Sequence, residues 1–253
     1  MLVGATARDL LLHHVYGHSE TRFTFDVDYA ILVDSWEQFE SVKQRLLEIP
    51  GFADKGKAKP RLYYRPDLST PESIVDIIPF GKLEADDGTI AWPPDAGIVM
   101  NMAAFQDVFE SSVTVEIEPQ LVVKAPSIAG LIILKLFAWM DRLSEKDVQD
   151  IRRLLETYTD SGNVDRLYEE VPAELERLKY DTTLAGAFLL GKDARWVIDS
   201  HVGEKLSAVL SGKLIERLVS DMARTMSAID DRSEAAAELL KEFFCGLGLD
   251  KIL

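Results

Sequence analysis

The stretch FTFDVDYAIL, residues 23–32, places two aspartates one residue apart inside an apolar run. Its β-branched and aromatic residues predict a strand over residues 24–33. On a strand, Asp26 and Asp28 point to the same face, and two ionised carboxylates placed in this way repel each other. A divalent cation, Mg²⁺ or Mn²⁺, removes this repulsion because it is readily bound by carboxylate oxygens. The pattern therefore predicts a metal site, with a solvated face of an edge strand as the alternative interpretation.

A third carboxylate lies in a second apolar run. Asp76 is the only charged residue of IVDIIPFG, residues 74–81, within a predicted strand over residues 73–81. If this strand lies beside the first, Asp76 completes a cluster with Asp26 and Asp28. Two metal ions in such a cluster could assist an in-line phosphoryl or nucleotidyl transfer. The alternative is that Asp76 is a turn residue.

The segment VGATARD, residues 3–9, predicts a turn that leads into a helix. A glycine at such a turn lets the backbone approach a phosphate, and the N–H groups of a helix N-terminus favour anions. Gly4, Ala5 and Thr6 form the predicted turn, and Arg8 adds positive charge. A simple tight turn is the alternative.

Composition and charge restrict the class of protein. A net charge of -15 over 253 residues argues against binding nucleic acid through many phosphate contacts, although a local contact stays open. The single cysteine, Cys245, is typical of a reducing compartment. The longest apolar run, which starts at Ala129, is interrupted by Lys135 and is shorter than the roughly 20 residues of a membrane span. We therefore expect a cytoplasmic protein without a membrane partner.

Strand patterns fill the first half of the chain, and helical patterns fill the second. A helix is predicted over residues 34–49 with Ser35 as its N-cap, and a further strand over residues 112–118. From Ser127 onward the apolar spacing is helical. The sequence therefore predicts an α+β fold, with a mixed β-sheet domain over residues 1–125 followed by an all-helical domain over residues 126–253.

Lys135 lies in AGLIILKLFAWM, a helix that is apolar on nearly every side and is therefore predicted to be buried. A lysine there has to extend to solvent, pair with a carboxylate or contact a ligand. If the helix continues, Lys135, Arg142 and Lys146 share one face. Ser144 followed three residues later by Asp147 resembles a capping box, which predicts a break near residue 143 instead.

A basic segment, DKGKAKPRLYYR, begins at Asp54 and contains five cations, Lys55, Lys57, Lys59, Arg61 and Arg65. It could contact a nucleic-acid backbone or nucleotide phosphates. The alternative is a solvated hairpin or an edge strand protected by lysines. Similarly, Trp92 either packs against the sheet or stacks on a base.

Together these residues resemble the DNA polymerase beta-type nucleotidyltransferase superfamily, in which a glycine turn before a helix precedes Asp-x-Asp on a strand and an aspartate on a later strand. LVGATARDLLL…TFDVDYAI is also similar to the opening of tRNA nucleotidyltransferases. The nearer resemblance is to the AbiEii-like predicted nucleotidyltransferases of bacteria, which IVDIIPFG, IAWPPD and LKLFAWMDRLSEKDVQDI also resemble. The similarity covers roughly residues 2–156.

The resemblance implies a role for each residue singled out above. Asp26 and Asp28 would bind Mg²⁺, and Asp76 would act as third ligand or base. The turn from Gly4 to Thr6 would hold the triphosphate of an NTP. Lys135 would reach the nucleotide phosphates. The predicted nucleotide-binding set is completed by Arg8, Arg142, Lys146, Asp147 and Asp150, with Asp147 or Asp150 orienting the lysine.

The implied activity is transfer of a nucleoside monophosphate from an NTP to an acceptor hydroxyl. The acceptor would be tRNA or another RNA, in a toxin–antitoxin setting with a cognate antitoxin protein; a small molecule or a protein side chain stays open. Ala5 departs from the usual glycine or serine. This departure permits an alternative, a catalytically inactive scaffold of the same fold that binds a nucleotide or a protein partner. A third interpretation is an antitoxin-like interaction protein that acts through its helical half.

Overall fold

The computed structural model describes residues 1–19, 26–56, 59–226 and 231–249 and divides the chain into two compact units. The first consists of Met1–His13 with Ser19–Pro126, and the second of His14–His18 with Ser127–Leu253. The described strands belong to the first unit, and the second is helical. The architecture is therefore α+β, and the division at Pro126 falls where the sequence changes from strand patterns to helical ones.

A five-stranded mixed sheet organises the first unit. Its strands follow the chain as β1 (Leu2–Val3), β2 (Asp26–Val33), β3 (Phe52–Ala53), β4 (Arg61–Tyr64) and β5 (Ser73–Gly81). Their order across the sheet is β1-β2-β5-β4-β3. β2 and β5 run parallel, and the other neighbouring pairs are antiparallel. The two strands predicted to carry the aspartates are therefore direct neighbours.

Short helices and hairpins complete this unit. Helix α1 (Gly4–Asp9) continues into a π-helical segment (Leu10–Val15), and Ser35 caps helix α2 (Trp36–Leu47) by accepting a 3.3 Å hydrogen bond from the amide of Gln38. The remaining elements are β6 (Thr89–Ala91), β7 (Val99–Asn101), α3 (Phe105–Glu110), β8 (Val113–Glu118) and β9 (Leu121–Ala125). β6 pairs with β7 and β8 with β9, each as a two-stranded antiparallel sheet.

Trp92 belongs to the core of the first unit. It is 2% exposed, and its ring centroid lies 5.1 Å from that of Trp36 and 5.4 Å from that of Phe39, both on α2. Aromatic rings at these distances stabilise the interior beyond their buried area. The structure thus supports the packing interpretation of Trp92, not the stacking of a base.

The second unit is a bundle of helices. They are α4 (Ile128–Arg142), α5 (Glu145–Thr157), α6 (Val164–Glu170), α7 (Pro172–Arg177), α8 (Thr182–Val197), α9 (Ser200–Val209), α10 (Lys213–Thr225) and α11 (Arg232–Leu247). Helices α8 and α11 touch through their backbones, because a Cβ at Gly191 would overlap the carbonyl of Phe243 and one at Gly246 the carbonyl of Phe188. Glycine at both positions permits this approach.

Candidate active site

The pairing of β2 with β5 brings the three predicted aspartates to one face of the sheet. The register places Asp28 directly beside Asp76, and Asp26 beside Ile74. Neighbouring strands lie about 4.8 Å apart, and residues paired across a parallel ladder point to the same face. The side chain of Asp76 is 14% exposed and that of Asp26 is 46% exposed. We call Asp26, Asp28 and Asp76 the acidic set. Within this set, Asp76 is nearly enclosed and Asp26 is open to solvent.

Glycine is required at position 4 because the N-terminal turn lies against the acidic set. β1 pairs antiparallel with β2 so that Val3 faces Asp28. Gly4 follows with a φ of +69°. A Cβ at this position would overlap Oδ2 of Asp28 and lie 3.1 Å from its Cγ. The glycine turn and the Asp-x-Asp strand, which the sequence identified separately, are thus in direct contact.

The remaining residues of the turn are tied to the protein. The hydroxyl of Thr6 donates a 2.9 Å hydrogen bond to the main-chain oxygen of Asp26, which fixes α1 to the start of β2. Ala5 is half-buried within α1. Arg8 is 2% exposed, and its Nη2 and Nε lie 2.5 and 2.8 Å from Oδ1 of Asp9. The phosphate-binding roles proposed for this turn stay predictions.

Arg61 joins the acidic set from the other side of β5. β4 pairs antiparallel with β5 so that Arg61 faces Asp76. Its Nε donates to Oδ1 of Asp76 at 2.9 Å and its Nη2 to Oδ2 at 2.7 Å, and the same Nη2 lies 3.9 Å from Oδ2 of Asp26. The hydrogen bonds to Asp76 raise the pKa of Arg61 above its ordinary value. The sequence grouped Arg61 with the basic segment and missed this pairing, because only the register of β4 against β5 reveals it.

Three other cations of the basic segment, which the structure describes, have local partners. Lys55 forms an ion pair of 2.6 Å with Glu72, and Arg65 lies 4.0 Å from the same carboxylate. Lys59 donates to a main-chain carbonyl, and Lys57 lies outside the described residues. This part of the segment leads into β4, next to the sheet-edge strand β3. The segment joins β3 to β4, which pair antiparallel, and β4 lies between β5 and β3. The structure therefore supports the hairpin form of the alternative and not the edge strand.

In the second unit, Lys135 pairs with the two aspartates named in the sequence analysis. Its Nζ lies 2.6 Å from Oδ2 of Asp150 and 3.5 Å from Oδ1 of Asp147, both on α5. The lysine is 5% exposed, Asp147 is 0% and Asp150 is 1% exposed. Arg142 also contacts Asp147 with two hydrogen bonds of 2.6 Å. Of the three options for a buried lysine, the structure shows pairing with carboxylates.

The predicted common face of Lys135, Arg142 and Lys146 is wrong, because the helix does not continue. α4 ends at Arg142, and Leu143 adopts a left-handed conformation with φ +50°. Ser144 then caps α5 by accepting a 3.3 Å hydrogen bond from the amide of Lys146. The predicted break near residue 143 is confirmed, although the Asp147 carboxylate accepts from Arg142 and Lys135 instead of completing a capping box. Lys146 is exposed at the start of the new helix.

Among residues 1–19, 26–56, 59–226 and 231–249, no group of three or more His, Cys, Asp or Glu side chains is arranged to hold a metal ion. In the same part of the chain, no helix is long and apolar enough to span a membrane. The predicted metal site is therefore still a prediction.

A glycine turn, an Asp-x-Asp strand and a third aspartate on the adjacent parallel strand are together the arrangement that the resemblance to nucleotidyltransferases leads us to expect. The family model described as "Nucleotidyl transferase AbiEii toxin, Type IV TA system" matches residues 1–228. The chain therefore belongs to the AbiEii family of nucleotidyl transferase toxins and is a nucleotidyltransferase. The match continues through α10, well beyond the similarity visible in the sequence. No curated protein matches the chain.

Proposed function

We propose that this protein transfers a nucleoside monophosphate from an NTP to an acceptor hydroxyl in a reaction that depends on a divalent cation. A bond forms between the acceptor oxygen and the α-phosphorus, the bond from that phosphorus to pyrophosphate breaks, and a carboxylate takes the hydroxyl proton. The observation that carries the proposal is the register that sets Asp28 beside Asp76, with Gly4 packed against Asp28.

The chemistry of the donor set, rather than its arrangement in this structure, fits the proposed cation. Asp26, Asp28 and Asp76 offer hard carboxylate oxygens on one face of the sheet, the ligand type that Mg²⁺ and Mn²⁺ prefer. A glycine at position 4 leaves the Asp28 carboxylate in place, where a larger side chain would displace it. A bound Mg²⁺ or Mn²⁺ supplies Lewis acidity for the acceptor oxygen and neutralises charge on the triphosphate.

The protein's own residues then have distinct tasks. Asp26 and Asp28 hold the cation, and Asp76 is the third ligand or the base for the acceptor hydroxyl. The turn at Gly4 borders the triphosphate. Lys135 is assigned to the nucleotide by resemblance, and its ion pairs with Asp150 and Asp147 hold its ammonium group in one place within the helical unit.

The family and the charge support the proposed acceptor and partners. The type IV toxin–antitoxin description implies a nucleotide substrate and a cognate antitoxin. RNA, including tRNA, is the proposed acceptor, and the net charge of -15 favours a compact or locally bound acceptor over extended RNA binding. We assign the protein to the cytoplasm, consistent with its single cysteine.

The proposal is tested with labelled NTPs. The protein is incubated with each labelled NTP, Mg²⁺ and total cellular RNA or protein, and labelled product and released pyrophosphate are measured. We expect Asp26→Asn with Asp28→Asn to abolish transfer without unfolding the protein. Asp34→Asn is the matched control, because Asp34 is 70% exposed just beyond the end of β2 and should leave transfer unchanged. Mg²⁺-dependent transfer that persists in the double variant would overturn the assignment.

The inactive-scaffold alternative has one structural observation in its favour. Arg61 engages both oxygens of Asp76, which leaves fewer lone pairs for a metal. That alternative predicts NTP binding, measured by calorimetry, without release of pyrophosphate from any NTP. Pyrophosphate release that requires Asp28 excludes it.

A further inference from the structure

Arg61 spans the acidic set from the strand next to β5. Its guanidinium forms a two-pronged hydrogen bond with Asp76 and reaches toward Asp26 at 3.9 Å. The planar fork of an arginine matches a carboxylate in this geometry, and such pairs are among the stronger hydrogen bonds in proteins. With a side chain 30% exposed, the guanidinium lies at the solvent boundary of the set.

Resting on the proposed function, we infer that Arg61 is a built-in counter-ion that a divalent cation displaces from Asp76. The acidic set carries three negative charges on adjacent strands, and without a cation these charges repel each other. Arg61 supplies one positive charge directly at Asp76, whose side chain is more enclosed than that of Asp26. It is therefore a positioning residue, which holds Asp76 on the site face until the cation binds.

The guanidinium and a metal ion compete for the same carboxylate. Both oxygens of Asp76 already accept a hydrogen bond from Arg61. A cation bound to either oxygen would lie close to the guanidinium, and the two positive charges repel. Metal binding therefore requires Arg61 to withdraw from at least one oxygen, which lowers the apparent metal affinity.

The same contact stabilises the protein in the absence of metal. The side chain of Asp76 is 14% exposed, and an enclosed carboxylate without a partner destabilises a fold. Removing Arg61 should therefore lower the stability of the metal-free protein while it strengthens metal binding. A merely structural ion pair predicts the first effect without the second.

Binding of Mn²⁺ alone, measured by titration calorimetry, tests the inference together with thermal unfolding in the absence of metal. We expect Arg61→Gln to bind Mn²⁺ about tenfold more tightly than the unmodified protein. This estimate follows from the repulsion between a single and a double positive charge about 5 Å apart in a water-like medium. Metal-free Arg61→Gln should unfold at a lower temperature, and added Mn²⁺ should stabilise it more than it stabilises the unmodified protein.

Arg65→Gln is the matched control, because it removes one exposed arginine from the same segment, 4.0 Å from Glu72 rather than beside the acidic set. It should leave the Mn²⁺ affinity unchanged. Arg61→Lys keeps the charge but loses the fork, and its affinity should lie between those of the unmodified protein and Arg61→Gln. If Arg61→Gln does not fold, Arg61→Lys decides: an affinity no higher than that of the unmodified protein overturns the inference.

The outcomes separate this inference from the proposed function. If the unmodified protein binds Mn²⁺ in an Asp28-dependent manner but Arg61→Gln binds it no more tightly, the counter-ion role alone is wrong. If the unmodified protein and Asp28→Asn behave identically and bind no Mn²⁺, the proposed metal dependence fails, and the inference fails with it.

Discussion

Replacing Gly4 with alanine should abolish most activity at little cost to the fold. The new Cβ would overlap Oδ2 of Asp28 and come within 3.1 Å of its Cγ and 3.3 Å of its Cβ. Carbon atoms in favourable contact are about 3.5–4.0 Å apart, so the Asp28 carboxylate has to move by about 1 Å. The overlapping atoms belong to the short side chain of Asp28, which can rotate. The substitution therefore changes the orientation of the Asp28 carboxylate and leaves the sheet in place.

The expected magnitude follows from that displacement. Misplacing a catalytic group by about 1 Å reduces a rate by about 100-fold. The stability effect has a different source, because Gly4 has a φ of +69° and an alanine there costs about 1–2 kcal/mol. For a chain of this size, that cost lowers the midpoint of thermal unfolding by about 2–8 °C.

Gly17→Ala separates the two effects. Gly17 has a similar φ of +74°, but a Cβ there has no described atom within 4 Å. We expect the two variants to lose comparable stability in thermal unfolding, while only Gly4→Ala loses pyrophosphate release. Gly4→Ala with unreduced release would show that the position of Asp28 against the turn is not needed for catalysis, which contradicts the proposed site.

Three further predictions concern the helical unit. Lys135→Met removes the ammonium group of the buried ion pair with Asp150 and should cost about 3–5 kcal/mol in urea unfolding, and adding Asp150→Asn should recover part of that loss; full stability of the single variant would contradict the buried pair. Gly191→Ala should cost about 1–3 kcal/mol, because its Cβ meets a main-chain carbonyl of α11, whereas Gly203→Ala, whose Cβ would lie 3.9 Å from Cδ1 of Ile198, should be neutral or stabilising; equal effects would argue against the close helix contact. Burial raises the pKa of Glu156, so ionisation of this side chain disfavours the folded state as the pH rises above the pKa of the unfolded chain. Glu156→Gln should therefore be more stable than the unmodified protein at pH 7, and the difference in stability should shrink toward pH 4. A difference that stays constant with pH would refute the raised pKa of Glu156.

Local sequence signals predicted the elements that frame the site. β5 covers the predicted residues 73–81, and α2 begins after the Ser35 cap and lies within the predicted helix. β2 begins at Asp26, while residues 24 and 25 of the predicted strand lie outside the described part of the chain. Alternation and capping act over a few residues, which is why they are visible in a single sequence.

Pairing between distant segments was harder to predict. The adjacency of β2 and β5 was a condition of the hypothesis, and the sequence could not supply it, because strand order depends on the whole sheet. The contact between Arg61 and Asp76 depends on the register of β4 against β5, which the connection over residues 65–72 helps to determine. The left-handed Leu143 was likewise unexpected, since few residues other than glycine adopt that conformation.

The parallel pairing of β2 with β5 also sets the order in which the site can form during synthesis. A growing chain that has not reached Asp76 contains Arg61 but only two of the three carboxylates. Parallel neighbours need a long crossover, and here it contains α2, β3 and β4. For a member of a toxin family, an incomplete chain on the ribosome therefore lacks the third carboxylate of the proposed site until that crossover has been synthesised.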